Sequence, residues 1–278
     1  MLRSIYCVAL VAAVCVTYSC SESNDDGAGP ADTDAGSNTG DSGNNPPSDS
    51  GSSTGNDSGT DAGPGLDAAD SGPQWVGPDG GVTTAMTYFV TSRGMGNGGN
   101  LTGGGADGLA GADAFCKQLA NEVSPLLGAK TWRAYLSTST VNARSRVGNG
   151  PWYNAKGVVI ANSVEHLHDE GGMNNLLTLT TNLDELGNQV PSGGGGPNVH
   201  DILTGTLANG SASQNHCNNW TSNATNVTAQ VGHSNRQGGG AAPTSWNAAH
   251  ATRGCAEQGN NSVRSGGGRG SFYCFATN

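Results

Sequence analysis

Short apolar or alternating stretches recur along the chain from Thr87 onward, which is typical of buried and half-buried β-strands. Thr131–Leu136 shows this alternation, Thr87–Ser92 also has the composition of a strand, and the chain closes on an apolar run at Ser271–Ala276. Val158–Ile160 and Ile202–Thr206 are shorter apolar runs of the same kind. The pattern therefore predicts a set of short strands separated by long polar loops.

One segment has helical spacing instead. Between Asp113 and Val123 the apolar residues Phe115, Cys116, Leu119 and Ala120 fall on a single face, and Pro125 ends the segment. The preceding stretch, Gly94–Gly111, is rich in glycine and predicts a loop. One helix among many short strands predicts an α+β fold with a mixed sheet, one or two helices and long loops.

The N-terminus has the pattern of an export signal. Arg3 precedes an apolar run at Ile5–Val16 that is too short to span a bilayer, and a polar segment follows Cys20. Thr17–Cys20 resembles the end of a bacterial lipoprotein signal, in which the cysteine becomes the lipidated first residue. Residues 1–20 are therefore expected to be a signal peptide, and the protein to be an outer-membrane or cell-surface lipoprotein anchored through Cys20. Ordinary cleavage and secretion is the alternative.

Residues 21–85 are predicted to be a disordered acidic linker. They hold twelve acidic residues and no lysine or arginine, and they contain too few large apolar side chains to offset the entropy of folding. Residues 86–278 are then the folded domain, with ten acidic residues against eleven lysines and arginines. The formal charge of −10 therefore belongs to the linker, and the nearly neutral domain has no basic field for nucleic acid.

Four cysteines lie in the domain: Cys116, Cys217, Cys255 and Cys274. In an exported chain they indicate two disulfides, and spacing alone leaves all three pairings open. Residues 86–278 contain no G-x-S-x-G elbow or phosphate-binding loop, so the sequence does not predict an enzyme.

The residues around these cysteines resemble the endostatin domain of certain collagens, and more closely the endostatin-like domains of bacterial surface lipoproteins. The resemblance rests on Gly111–Cys116, Trp132–Ser137, His216–Trp220, Gly254–Cys255 and Phe272–Cys274. It implies a C-type lectin-like fold across residues 86–278. It also implies nested disulfides, Cys116–Cys274 and Cys217–Cys255.

The metal sites of these families do not carry over. The nearest echoes of the calcium-binding lectin motifs are Gly196–Asn198 and Trp246–Ala248, and both lack the carboxylate. Endostatin holds zinc through histidines at the N-terminal edge of the domain, where this chain has none before His166. No cofactor is therefore expected, although calcium or zinc stays open.

Two clusters could carry chemistry. His166, His168, Asp169 and Glu170 include the residue types of a metal-dependent hydrolase, and a strand would place the two histidines on one face; His200–Asp201 could add ligands. A solvated polar loop is the simpler interpretation. Arg133, Arg144 and Arg146 could form a patch for sulfated glycans, with ordinary ion pairing as the alternative.

The expected function is binding or adhesion to an extracellular protein or glycan, without a requirement for calcium. A metal-dependent hydrolase and a purely structural envelope component are the competing classes. The sequence predicts neither the ligand nor the oligomeric state.

Overall fold

The computed structural model describes residues 81–169, 174–193 and 196–277. The predicted signal peptide, Cys20 and almost all of the predicted linker lie outside these residues. The part of the linker that is described is packed: Thr83 is buried, and its amide donates to the Ala155 carbonyl oxygen at 3.0 Å. The folded domain therefore includes a few residues before Met86.

The described residues form an α+β fold. The strands are β1 (Tyr88–Val90), β2 (Trp132–Ala134), β3 (Trp152–Tyr153), β4 (Val159–Ala161), β5 (Asp201–Leu203), β6 (Gln230–His233), β7 (His250–Ala251) and β8 (Gly268–Ala276). The helices are α1 (Gly108–Val123), α2 (Pro125–Gly128) and α3 (Val164–His168), with a 3₁₀ turn at Ala143–Ser145 and a single turn at Cys217–Trp220 whose residues all have positive φ.

The main sheet has six strands among the described residues, in the order β1-β8-β5-β6-β7, with β2 also paired to β8. β5 and β8 run parallel, whereas the other pairs are antiparallel, so the sheet is mixed. β3 and β4 form a separate two-stranded ribbon. The prediction of a mixed sheet with few helices is confirmed.

β8 lies at the centre of this sheet, and its side chains alternate between two buried faces. Phe272 and Cys274 belong to the core between the sheet and α1, while Tyr273 and Phe275 belong to the core on the other face. A strand buried on both faces reads as a continuous apolar run, which is why Ser271–Ala276 was recognisable in the sequence.

Helix α1 begins five residues before the predicted start at Asp113. Asp107 caps it: its Oδ1 accepts from the Leu109 amide at 2.8 Å and from the Ala110 amide at 3.3 Å. Gly111 lies inside the first turns, where an added Cβ would stand 2.1 Å from the Leu101 carbonyl oxygen. The glycines that predicted a loop instead allow the helix to pack closely against the preceding chain.

Two disulfides hold the domain together. Cys116 on α1 is bonded to Cys274 on β8, and Cys217 is bonded to Cys255 in the long connection between β6 and β8. The Cα atoms are 5.7 and 5.8 Å apart, ordinary spacings for a disulfide. This is the nested pairing that the resemblance implies.

Candidate functional site

Three histidines and one aspartate meet at one end of the β5-β6-β7 part of the sheet. His200 precedes β5, Asp201 is its first residue, His233 is the last residue of β6 and His250 is the first of β7. Asp201 and His233 are cross-strand partners, and the β6–β7 pairing places His250 opposite Val231. Strand pairing therefore gathers side chains that are up to fifty positions apart in the sequence.

The imidazole rings of the three histidines surround one carboxylate oxygen. Asp201 Oδ1 lies 3.3 Å from His200 Nε2, 3.4 Å from His233 Nε2 and 3.5 Å from His250 Nε2. The His200 and His233 rings are stacked, with centroids 4.4 Å apart. The Asp201 and His233 side chains are essentially inaccessible to solvent, whereas the His250 side chain is 24% exposed.

Protonation equilibria in this cluster are perturbed. Burial by itself raises the pKa of Asp201, but the neighbouring His233 and His250 lower this pKa and outweigh the effect of burial. The net shift is downward, and the carboxylate stays ionised. The pKa of His250 is raised, chiefly by Asp201, and burial lowers the pKa of His200.

A cleft of about 360 Å³ opens directly beside the cluster. Its walls are Asn198, His200, His233, Gly238, Gly239, Gly240, His250, Ala251, Arg253 and Gly266. Arg253 is exposed on this wall and forms no ion pair with any residue that the structure describes. The cleft is thus bounded by glycine-rich loops and presents imidazole and guanidinium groups to solvent.

His200, Asp201 and His233 form the group in the described chain whose ligand atoms all lie within 4.8 Å of one another. Of these, the His200–Asp201 pair was recognisable in the sequence as a possible source of ligands. His233 and His250 were not, because each stands alone in its own short strand and no local spacing links them.

The predicted cluster of His166, His168 and Asp169 is not assembled as a ligand set, and Glu170 lies outside the described residues. The segment is helix α3 and not a strand, so the two histidines do not share a face. His166 Nδ1 accepts from the Asn162 amide and its Nε2 contacts the Asn174 carbonyl oxygen. Both nitrogens of His168 are also in hydrogen bonds, with Val164 O and Tyr135 Oη. Neither ring has a nitrogen free to hold a metal.

The three arginines of the predicted patch have partners within the protein. Asp113 on α1 accepts from Arg133 at 2.7 Å through Oδ2 and from Arg146 at 2.6 Å through Oδ1. Arg144 lies elsewhere and donates to the Asn209 carbonyl oxygen at 3.1 Å. Ordinary ion pairing, the alternative interpretation, describes Arg133 and Arg146.

The two echoes of the lectin motifs also separate. Asn198 is exposed on the wall of the cleft, whereas Asn247 is completely buried and hydrogen-bonds within the core. They do not form a common calcium-binding loop.

Comparisons with known proteins give a family. The model of the family described as "Protein of unknown function (DUF1554)" matches residues 98–237. This range contains α1, both β5 and β6, and three of the four residues of the histidine cluster. No curated protein matches the chain. Among the described residues, the helices are too short or too polar to cross a bilayer.

Proposed function

The chain belongs to the DUF1554 family, and from that premise we propose that it is an exported protein that binds an extracellular protein or glycan through the loops of a C-type lectin-like, endostatin-like domain. The mode of action is recognition and not catalysis. The histidine cleft is the binding site.

The organisation of the domain supports the lectin-like assignment. A single long helix packs on a mixed sheet, and the last strand occupies the centre of that sheet. The disulfides are nested, and the connection from β5 to β8 is almost entirely loop around β6 and β7. The sheet and helix thus form a rigid base, and the loops lie on top of it. Proteins commonly carry their binding residues on loops that a rigid scaffold positions in this way.

The observation that carries the proposal is the cleft itself. Its volume of about 360 Å³ is at the lower end of the range for small-molecule sites, which fits one sugar residue or one protruding protein side chain. Loops form most of its wall, and Arg253 supplies an unpaired positive charge for a carboxylate or sulfate group.

The lining of the cleft favours binding over hydrolysis. Among the described residues its side chains are histidines, Asn198 and Arg253, with no serine, cysteine or glutamate that would form a covalent intermediate with a substrate. The competing hydrolase was expected at residues 165–170, where His166 and His168 are occupied by hydrogen bonds.

Export and lipid anchoring belong to the same proposal. The signal-like N-terminus and Cys20 support them, and two disulfides fit an oxidising compartment. Replacing Cys20 with serine should move the protein from the membrane fraction to the soluble fraction. Unchanged partitioning of Cys20→Ser would refute lipidation.

The binding role is tested by blocking the cleft without disturbing the fold. A Cβ added at Gly239 meets no atom within 4 Å, so Gly239→Trp adds a large side chain to the cleft wall at little cost to stability. The matched control is Leu126→Trp on α2, where the native side chain is 68% exposed and not part of the cleft.

Both variants and the wild type are screened on a glycan array and on immobilised extracellular-matrix proteins. We expect the wild type and Leu126→Trp to bind the same ligand and Gly239→Trp to lose at least tenfold in affinity. Equal binding by Gly239→Trp would place the site elsewhere, and no binding by the wild type would favour the purely structural alternative.

A further inference from the structure

The tautomers of the three histidines in the cluster are set by their Nδ1 atoms. His233 Nδ1 lies 2.9 Å from the Pro243 carbonyl oxygen, and His250 Nδ1 lies 3.0 Å from the Ala251 carbonyl oxygen. A carbonyl oxygen only accepts, so the proton of each neutral ring is on Nδ1 and the lone pair is on Nε2.

His200 follows the same rule through a side chain. Its Nδ1 lies 3.0 Å from Asn235 Oδ1. That oxygen also accepts from the Gln237 amide at 3.1 Å, which fixes the orientation of the Asn235 amide group. His200 therefore donates from Nδ1 and keeps the lone pair on Nε2, which lies 3.3 Å from Asp201 Oδ1.

When the rings are neutral, the Nε2 atoms of the histidines and the Asp201 oxygens are all hydrogen-bond acceptors, and no donor of the described chain lies between them. Both carboxylate oxygens of Asp201 and Nε2 of His233 are buried and have no hydrogen-bond partner among the residues that the structure describes. A buried acceptor without a donor is costly, and a buried carboxylate more so. The arrangement requires either extra protons on the rings or a cation between His200, Asp201 and His233.

The spacing of the acceptors fits a metal ion. Zinc binds histidine nitrogen and carboxylate oxygen at about 2.0–2.1 Å in a tetrahedral site, which separates neighbouring ligand atoms by about 3.3–3.4 Å. Asp201 Oδ1 lies 3.3 Å from His200 Nε2 and 3.4 Å from His233 Nε2.

The surroundings also have the form of a metal site. Asn235, Pro243 and Ala251 supply the oxygen atoms that orient metal-binding histidines from behind. Gly238, at φ +123°, borders two of the rings: a Cβ there would lie 2.8 Å from His200 Cε1 and 3.2 Å from His233 Cε1.

We propose that His200, Asp201 and His233 bind a divalent transition-metal ion of the zinc class and leave its fourth position to water or to a ligand from the cleft. Imidazole nitrogens select zinc-like ions over calcium, which prefers six to eight oxygen ligands. The site is distinct from the calcium site of lectins. The inference is independent of the binding role proposed above, because it concerns the metal alone.

The experiment uses the full chain, without a histidine tag, after treatment with a chelator. Isothermal titration with ZnCl₂ should show one site per chain, and CaCl₂ should produce no binding. CoCl₂ should give the intense visible bands of tetrahedral Co²⁺ with nitrogen and oxygen ligands.

Two variants assign the ligands. Asp201→Asn keeps the shape of the side chain and removes its charge, and His200→Gln removes one of the two imidazole ligands. Both should lower zinc affinity at least tenfold. His166→Gln removes a histidine outside the cluster and should bind zinc as the wild type does.

Circular dichroism of the metal-free variants checks that they fold. If Asp201→Asn does not fold, His200→Gln and the Co²⁺ spectrum of the wild type still decide the question. The proposal is wrong if the wild type takes up no stoichiometric zinc, if Co²⁺ shows an octahedral spectrum, or if zinc affinity survives in the folded cluster variants. Gly239→Trp separates the two proposals. If this variant loses ligand binding and keeps zinc binding, the metal site is supported independently of the ligand.

Discussion

Asn247 donates a hydrogen bond from Nδ2 to Tyr135 Oη at 3.0 Å, between two side chains that are fully buried and 112 positions apart in the sequence. The same amide nitrogen contacts the Leu207 and Ala208 carbonyl oxygens, and Oδ1 accepts from Ser245. Asn247 thus ties the loop after β5 to the chain that follows β2. The tryptophan–asparagine pair that resembles a lectin ligand motif is part of the core.

Replacement of Asn247 by alanine should lower the free energy of unfolding by about 2 kcal/mol, because buried partners lose their hydrogen bonds. Urea unfolding followed by tryptophan fluorescence measures the change. Asn260→Ala, at an exposed position, should stay within about 0.5 kcal/mol of the wild type. Equal stability of the two variants would contradict the structural role of Asn247.

The hydrogen-bond chain continues from Tyr135 to His168. Tyr135 Oη donates to His168 Nε2 at 2.8 Å, and His168 Nδ1 donates to the Val164 carbonyl oxygen at 2.8 Å. Burial lowers the pKa of His168 from 6.5 to about 4, with a smaller contribution from Arg144. The folded protein therefore holds this ring neutral.

The stability of the protein should fall in mild acid for this reason. In the unfolded chain His168 takes up a proton below its ordinary pKa of 6.5, while in the folded protein it does not until about pH 4. The unfolded state is therefore favoured progressively as the pH falls through this window, by about 3 kcal/mol over the whole range.

Urea unfolding at a series of pH values between 7 and 4 measures this loss. His168→Gln should flatten the dependence relative to the wild type, and His166→Gln should keep it. A His168→Gln curve with the wild-type slope would show that other groups cause the acid sensitivity.

Asp113 controls whether the arginines are available to anions. Asp113→Asn should weaken two ion pairs, one of them largely buried, and lower stability by about 2 kcal/mol. It should also expose two guanidinium groups, so the variant should leave a heparin column at higher salt. Glu122→Gln removes the same charge and releases the exposed Arg93 alone, so its elution should change less. Equal elution of the two variants would contradict this account.

The disulfides should differ in their contribution. Cys116 and Cys274 are 158 positions apart, whereas Cys217 and Cys255 are 38 apart. Because a cross-link reduces the entropy of the unfolded chain, the outer disulfide should stabilise the domain by about 5 kcal/mol and the inner one by about 4 kcal/mol. Replacing the outer pair by alanine should therefore destabilise the domain more than replacing the inner pair. Peptide mapping without reduction tests the pairing, and a Cys116–Cys217 peptide would refute it.

The elements that were predictable from the sequence are those with a strong local pattern. β8 and α1 were recognised because one is continuously apolar and the other has a helical apolar face. The start of α1 was missed because Asp107 caps it within a glycine-rich stretch. β3 and β7 were not predicted because two-residue strands are too short to show any periodicity.

The candidate site was only partly predictable. His200 and Asp201 are adjacent in the sequence and were predicted as possible ligands, whereas strand pairing alone brings His233 and His250 close to them. His166 and His168 were more conspicuous because they are close in sequence, and their helix gives their ring nitrogens other partners. Proximity along the chain was thus a poor guide to proximity in space.

The position of β8 has a consequence for how the domain is made. β8 is translated after every other described element, yet β1, β2 and β5 all pair with it. Until the ribosome has finished the final strand, these three have no common neighbour and α1 has no partner for Cys116. The pairing of β8 is therefore the step that completes the sheet. A stop codon before Gly268 would remove the strand in the middle of the sheet.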